Sequence, residues 1–345
     1  MYSISVRVDR SVYRAFVALI AFALLTPGAH AGDDTDGTAA ALATALKAPA
    51  ARLGIEPRVA ELAAGKAVSW DLEVKHASEV AAASAVVVEA PVELLVTELR
   101  DLELLRKRGV LTATARFSDP PSFNDLVKLE VPAATLDGMA RAKVRSSDVK
   151  LSSAEIAAAR RAKPADRPLV FKGFLLRRML AWQQNGVAGL GFYHDKRLVV
   201  NQSKATGELI AELEKTRPAG ALPVTSKHQY WSIEQYGTLK PVIALSEMTI
   251  MRSGRTARVE TVQIYANHYF EGLVTALDFD EVTTPRGPAT LVRLSFRSRL
   301  DIFDGLLGGL KRRIALSRTT EEVGKNLKQM RATYAPAAAA ATTGR

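Results

Sequence analysis

The chain has 345 residues, of which 48% are hydrophobic and 24% are charged, with no cysteine and a formal net charge of +11. These values exclude a disordered chain, a disulfide scaffold and any site built on thiolates. After residue 31 no apolar run approaches the roughly 20 residues that a membrane-spanning helix needs, which excludes a polytopic membrane protein. The composition therefore favours a basic, compact protein of one or two domains.

Residues 1–31 are predicted to be a secretory signal peptide. Arginines precede an unbroken apolar run at residues 16–25, and Ala29-His30-Ala31 fits the small-x-small rule for cleavage. The alternative, a retained anchor helix, is disfavoured because the run is short for a span. The protein is therefore expected to be exported, with the periplasm as its location. There its basic excess favours peripheral contact with an anionic membrane, and no nucleic-acid partner is expected.

The first half of the chain combines short strands with helices. Residues 32–66 form an Ala-rich segment with a helix predicted near residues 40–51. A β-branched run at residues 84–89 predicts a strand, and Pro91 then opens a helix with an apolar stripe that ends at Gly109. A helical insertion is predicted at about residues 110–240. Four helices are predicted within it, at residues 152–161, 174–184, 206–215 and 230–236.

The last hundred residues give the clearest pattern. Four strands are predicted, at residues 245–251, 259–270, 273–279 and 290–297, with turns at residues 252–255 and 285–288. A long helix follows, in which Thr319 and Glu322 form a capping box and Val323, Leu327 and Met330 form the apolar stripe. The Ala-rich residues 335–345 are predicted to be a disordered tail.

Two segments of the chain resemble parts of a known superfamily. VVVEAPVELLVTELRDLELL is similar to the first strand and helix of the START-like, or helix-grip, superfamily, and ATLVRLSFRSRLDIFDGLLGGLKRRI is similar to its last strand running into the terminal helix. The resemblance implies an α+β fold in which a curved antiparallel sheet grips a long C-terminal helix around a cavity. The START-like domain would span residues 67–334 and contain the helical insertion.

The middle and end of the chain also resemble a family of exported bacterial proteins with no established activity. Its members carry segments similar to FSDPPSFNDLVKLEVPA, RSSDVKLSSAEI, QIYANHYFEG and RSRLDIFDGLLGGLKRRI. This resemblance covers most of residues 110–331 and supplies no catalytic residues.

Four candidate ligand-binding residues lie on the predicted strand 259–270. Tyr265, Asn267 and Tyr269 share one strand face, and His268 lies on the other face among apolar residues. In a sheet curled around a cavity, His268 is a candidate general base or ligand contact. The alternative is a buried histidine that is hydrogen-bonded to a neighbour.

Three arginines form a second candidate group. Arg293, Arg297 and Arg299 have the same parity, so an extended strand points them the same way. They could hold a carboxylate, a phosphate or a lipid headgroup through bidentate hydrogen bonds. The alternative is a strand face whose arginines pair with acidic residues across the sheet.

Two further motifs are weaker. GLLGGLKRR, residues 305–313, is interpreted as a mobile gate or a membrane-touching segment, or as a loop whose leucines pack under the terminal helix. Ser147 and Lys150 match S-x-x-K, the acyl-transfer signature of penicillin-recognising enzymes. That chemistry needs a helix, whereas these residues look extended, so the match is interpreted as coincidence.

The function predicted from these features is periplasmic binding of an apolar or amphipathic small molecule, with lipids among the candidates. Two alternatives stay open: a cavity enzyme, a hydrolase or isomerase that uses His268 as its base, and an envelope interaction protein with no ligand. Binding is favoured because general acid–base catalysis needs several converging polar groups, and only His268 has a suitable pKa. No cofactor and no metal are expected.

Overall fold

The computed structural model describes residues 36–107, 111–218, 220–235, 239–301 and 308–334. The predicted signal peptide, the predicted tail and part of the GLLGGLKRR segment lie outside these residues. Within them, no helix combines the length and the apolar character that crossing a membrane requires.

An antiparallel sheet of eight strands dominates the fold, and a short hairpin accompanies it. The strands are β1 (Val68–Asp71), β2 (Glu79–Val88), β3 (Ala113–Arg116), β4 (Phe192–Tyr193), β5 (Val200–Asn201), β6 (Val224–Glu234), β7 (Val242–Ser253), β8 (Thr256–Ala266), β9 (Phe270–Thr284) and β10 (Gly287–Leu300). The sheet order is β1-β2-β10-β9-β8-β7-β6-β3, and β4 pairs with β5 in the hairpin. The first long strand, β2, therefore lies beside the last strand, β10.

Nine α-helices cover this sheet in the described part of the chain. They are α1 (Asp36–Leu53), α2 (Val59–Ala63), α3 (Val92–Arg100), α4 (Leu102–Lys107), α5 (Ala133–Arg141), α6 (Ser153–Arg161), α7 (Arg167–Asn185), α8 (Gln202–Glu214) and α9 (Gly308–Tyr334). The class is α+β, as predicted, with a large antiparallel sheet and a C-terminal helix.

The inner face of the sheet is the face that carries α9. The predicted stripe of Val323, Leu327 and Met330 is buried there, in one cluster with α3, α4 and sheet residues such as Phe296 and Leu273. Alternate residues of the strands point to the opposite, outer face. This burial removes the apolar side of α9 from water, and each side chain of that size contributes about 1.5–3 kcal/mol.

Helices cover the outer face as well. Helix α1 packs over one edge, where Leu46 lies in a cluster with Val87 and Leu291. Helix α8 lies over β9, with Leu209 in contact with Val274. The insertion helices α5 to α7 bury their apolar residues against β6, β7 and β8. Both faces of the sheet are therefore buried, and the outer face also buries charged residues such as Asp278 and Arg293.

The prediction of a helix at residues 230–236 is wrong, since Val224–Glu234 is strand β6. This segment pairs with β7 and with β3, so its backbone hydrogen bonds are satisfied across the sheet. Both β3 and β6 belong to the main sheet, so the helical part of the insertion is shorter than residues 110–240. Its helices begin after β3 and end at Glu214.

Several helix boundaries also differ from the predictions. The helix after Pro91 ends at Arg100, and Asp101 caps the separate helix α4 by accepting from the backbone N–H of Leu104. Helix α8 begins earlier than Thr206, with Asn201 as its cap. The capping box of Ser152 and Glu155 is confirmed at the start of α6. The predicted capping box of Thr319 and Glu322 is wrong, because α9 begins at Gly308 and Thr319 lies inside it.

Candidate functional site

The predicted strand 259–270 is two strands joined by a tight turn at residues 267–269. Strand β8 ends at Ala266, and Tyr269 adopts a left-handed backbone with φ of 61° before β9 begins. Asn267 holds this turn, because its Oδ1 accepts from the backbone N–H of Ile243 at 2.8 Å and its Nδ2 donates to Thr135 of α5 at 3.0 Å. The prediction of one continuous strand is therefore wrong.

Tyr265 lies apart from this turn, in the outer-face cluster under the insertion helices. Its hydroxyl donates to the backbone oxygen of Lys150 at 2.9 Å, and the Arg178 guanidinium lies 4.4 Å from the centre of its ring. Burial raises the pKa of Tyr265 well above its usual value. The structure therefore places Tyr265 as a link between the sheet and the insertion, and its predicted contact with a ligand stays a prediction.

The three predicted arginines share one side of β10 but pair with three separate carboxylates. Arg293 binds Asp278 at 2.7 Å, Arg297 binds Glu79 at 2.7 Å and Arg299 binds Glu208 at 2.5 Å. All three arginines are buried. This arrangement matches the alternative given above, in which the arginines pair with acidic residues. Contact with a ligand headgroup would require these ion pairs to open.

Lys150 is a buried cation that lies near the turn at residues 267–269. Its Nζ lies 2.7 Å from Oδ2 of Asp301 and 3.5 Å from Oδ2 of Asp195, and its side chain is 1% exposed. Burial alone would lower the pKa of Lys150, but the two carboxylates outweigh burial and raise it. The Ser147 hydroxyl donates to the backbone oxygen of Val149 at 2.7 Å, which agrees with a coincidental S-x-x-K match.

His268 is buried beside this ion-pair group. Its Nδ1 lies 2.6 Å from the backbone oxygen of Asp148, an oxygen that can only accept, so Nδ1 carries the proton. Its Nε2 has no hydrogen-bond partner among the described residues. Burial lowers the pKa of His268, although Asp148 acts in the opposite direction. The ring is therefore neutral at pH 7, with its lone pair on Nε2.

Acid is expected to destabilise the protein partly through His268. Because the pKa of His268 lies below its ordinary value of 6.5, the unfolded chain binds this proton at a higher pH than the folded protein. This contribution to stability is present above about pH 6.5 and is lost as the pH falls below that value. Urea unfolding at a series of pH values should show a steeper acid loss in the native protein than in His268→Gln. Equal slopes would contradict this assignment.

An open cleft of about 460 Å³ adjoins Asp148 and Asp195. We call it the basic cleft. It is lined by Gly138, Arg141, Arg145, Ser146, Ser147, Asp148, Asp195, Lys196 and Arg197. Its two carboxylates are already engaged, because Asp148 pairs with Lys240 and Asp195 with Lys150. Its four cationic side chains are exposed, so the cleft carries an excess of positive charge.

Two loops that are distant in the sequence form the basic cleft. The backbone N–H of Arg145 donates to the oxygen of His194 at 2.7 Å, and that of Ser147 donates to the oxygen of Asp195 at 2.9 Å. Asp195 is buried in the cleft wall, and its Oδ1 has no hydrogen-bond partner in the described part of the chain. The cleft thus offers four cationic donors and one buried acceptor.

Two other clefts are less uniform in charge. One, of about 480 Å³, includes Arg116, Trp182, His228 and Glu247, and another, of about 640 Å³, lies between β1 and α9. None of the seven predicted site residues lines these clefts or the basic cleft. The described residues contain no group of three or more His, Cys, Asp or Glu side chains that could hold a metal ion.

Comparisons of the chain with protein-family models, with curated proteins and with solved structures found no match.

Proposed function

We propose that this chain is an exported protein that binds an amphipathic small molecule with an anionic headgroup, on a START-like scaffold. Three features support the scaffold. A strand and two helices precede a long antiparallel meander, the terminal helix covers one sheet face, and β2 lies beside β10. These features agree with the element order on which the resemblance rests.

The observation that carries the proposal is the basic cleft. Guanidinium groups bind phosphate and carboxylate through paired hydrogen bonds, and three of the four cations in this cleft are arginines. The headgroup contact is therefore assigned to Arg141, Arg145, Lys196 and Arg197. The buried arginines of β10 keep their carboxylate partners in this proposal.

The second polar feature of the cleft narrows the headgroup chemistry. Oδ1 of Asp195 is buried in the cleft wall without a partner among the described residues, so a donor on the ligand would satisfy it if the wall moves to admit that donor. A headgroup that combines a phosphate with a hydroxyl would satisfy both the cations and Asp195. Phosphatidylglycerol has this combination, and it is the probe that we choose.

The turn at residues 267–269 connects the cleft with the inner face of the sheet. Asp148 lines the cleft and accepts from His268, and the His268 ring lies 5.5 Å from the Tyr269 ring. Tyr269 in turn packs against the inner-face core. Placing the apolar part of the ligand along this path would require His268 and Tyr269 to move, because neither residue lines a described cleft. Its burial there would contribute about 25 cal/mol per Å².

The expected result is that the protein binds soluble short-chain phosphatidylglycerol and that Arg145→Ala/Arg197→Ala binds it at least about 100-fold more weakly, since hydrogen bonds between charged groups contribute about 1.5–3 kcal/mol each. Isothermal titration calorimetry below the micelle concentration measures this. The matched control is Arg313→Ala/Lys328→Ala, which removes two exposed cations from α9. Equal binding by the two double variants, or no binding by the native protein, would refute the proposal.

The enzyme alternative keeps one supporting observation, the unprotonated Nε2 of His268. A general base also needs a second group that acts on the substrate. Nε2 is buried and His268 lines none of the described clefts, so a substrate has no access to it in this geometry, which favours binding. Native mass spectrometry of the purified protein, followed by solvent extraction, would identify a bound molecule directly.

A further inference from the structure

The hairpin of β4 and β5 carries large apolar side chains into solvent. Leu198 is 77% exposed, Val199 is 51% exposed and Phe192 is 50% exposed. Burying such side chains is favourable, so three of them in one short hairpin indicate a surface that is covered in use.

The base of this hairpin is fixed to the fold. Tyr193 is fully buried, and Asp195 is held by the buried ammonium group of Lys150. The backbone N–H of His194 donates to the oxygen of Leu151 at 2.8 Å. The base of the hairpin is therefore already held in place before the apolar tip binds anything. Binding then requires no further loss of conformational entropy at the base.

A second loop extends this surface. Lys143 and Ser146 close a tight turn through reciprocal backbone hydrogen bonds, and the turn exposes Val144, which is 48% exposed, beside Arg145. Arg145 has a left-handed φ of 69°, and its backbone N–H joins this turn to the hairpin at His194. We call residues 141–146 together with 192–201 the two-loop surface.

Cations surround the apolar tips of the two-loop surface. Arg141, Lys143, Arg145, Lys196 and Arg197 are all exposed. Among the described residues, the only ion-pair contact of these five is a long one of 3.9 Å between Lys196 and Asp301. Exposed apolar side chains ringed by cations are the combination that binds the boundary between anionic headgroups and acyl chains.

We propose that the two-loop surface docks the protein on an anionic lipid bilayer. Leu198, Val199 and Val144 enter the boundary between headgroups and acyl chains, and the five cations contact the headgroups. The inference goes beyond the proposed function, because it depends on apolar tips that the basic cleft does not contain. A bilayer is favoured over a protein partner because the five cations are exposed on the same two loops as the apolar tips, and Asp195, the carboxylate of these loops, is buried.

The test is co-sedimentation with vesicles made of phosphatidylglycerol and phosphatidylcholine in equal parts, with pure phosphatidylcholine vesicles as the reference. The native protein should sediment with the mixed vesicles at low salt, and less so at high salt. Leu198→Ser/Val199→Ser should weaken partitioning by at least about tenfold, since two apolar side chains lose their burial. The control is Val224→Ser, an apolar residue of similar exposure to Val199, which lies beside Met251 at the other end of strands β6 and β7.

A charge-reversal variant tests the contribution of the cations to bilayer binding. Arg145→Glu/Arg197→Glu should weaken partitioning by more than about 25-fold, since each cation near an anionic leaflet contributes about five-fold. Arg313→Glu/Lys328→Glu carries the same change in charge on α9 and should have a much smaller effect. Sedimentation of Leu198→Ser/Val199→Ser equal to that of Val224→Ser would overturn the inference, as would a native protein that stays in the supernatant.

The two proposals fail separately. Leu198→Ser/Val199→Ser should still bind soluble short-chain phosphatidylglycerol, because the lining of the basic cleft is unchanged. If this variant no longer binds vesicles but still binds the soluble lipid, the result supports docking through the apolar tips. Vesicle binding without any titration of the soluble lipid would refute the proposed function and leave the docking surface standing.

Discussion

Replacing Lys150 by methionine is expected to lower the free energy of unfolding by about 3–5 kcal/mol, because it leaves the buried carboxylates without their cation. Asp301 lies 2.7 Å from the ammonium group, and both Asp195 and Asp301 are less than a tenth exposed. Methionine fills a similar volume, so the loss reports the charge rather than a cavity. Urea unfolding followed by circular dichroism measures this value.

Lys240→Met provides the matched control for this experiment. Lys240 also pairs with an aspartate, Asp148, but both side chains are more than two-fifths exposed. Exposed pairs contribute less than about 1 kcal/mol. The triple variant Lys150→Met/Asp195→Asn/Asp301→Asn should recover much of the loss, since it removes the charges together. A Lys150→Met protein no less stable than Lys240→Met would contradict the assignment of a buried ion-pair group.

Asp278→Asn is expected to have an effect of similar size, about 3–5 kcal/mol, because one buried carboxylate serves two buried arginines. Asp278 accepts from Arg258 at 2.7 Å and from Arg293 at 2.7 Å. Arg293 also donates to the backbone oxygens of Leu53 and Thr216, at the ends of α1 and α8. Losing the carboxylate therefore loosens the attachment of two helices. Urea unfolding measures the loss.

Hydrogen exchange adds a local readout to the Asp278→Asn experiment. Amides of α1 should exchange faster in this variant, because Leu53 at the end of α1 is held by Arg293. Glu214→Gln is the control, since Glu214 pairs with Arg217 on the surface. Unchanged exchange in α1 together with a stability loss below about 1 kcal/mol would show that the Asp278 pairs are not structural.

The sequence predicted the elements whose signal is local. The meander of the last hundred residues, the turns at residues 252–255 and 285–288 and the apolar stripe of Val323, Leu327 and Met330 follow from periodicity and turn residues. The capping box at Ser152 also needs only four neighbouring residues to be recognised. These features depend on short-range physics, which one sequence contains.

Features set by distant parts of the chain were missed. The segment at residues 230–236 is a strand because β3 and β7 lie on either side of it. β7 follows closely, at Val242, but β3 lies more than a hundred residues earlier and ends at Arg116. The turn at residues 267–269 interrupts a run that alternates like one strand. Asn267 in this turn forms hydrogen bonds with Ile243 and Thr135. Both partners lie outside the segment, so its own sequence does not indicate the turn.

The candidate site shows the same limit. His268 and Tyr269 were selected from their strand context, and the structure places them beside the basic cleft through Asp148. The cleft itself was not foreseen, because Arg145 and Arg197 belong to loops that only the fold brings together. Two short basic loops give no periodic signal.

The pairing of β2 with β10 has a consequence for biosynthesis. Val88 of β2 lies opposite Thr290 of β10. During synthesis β2 therefore stays unpaired on this side until some two hundred further residues have been made. Contacts so remote in sequence slow folding, and an unpaired apolar strand is prone to misassociation meanwhile. The nascent chain therefore cannot complete its sheet on the ribosome until β10 has emerged. A chaperone that shields β2 during synthesis would be expected to raise the yield of folded protein.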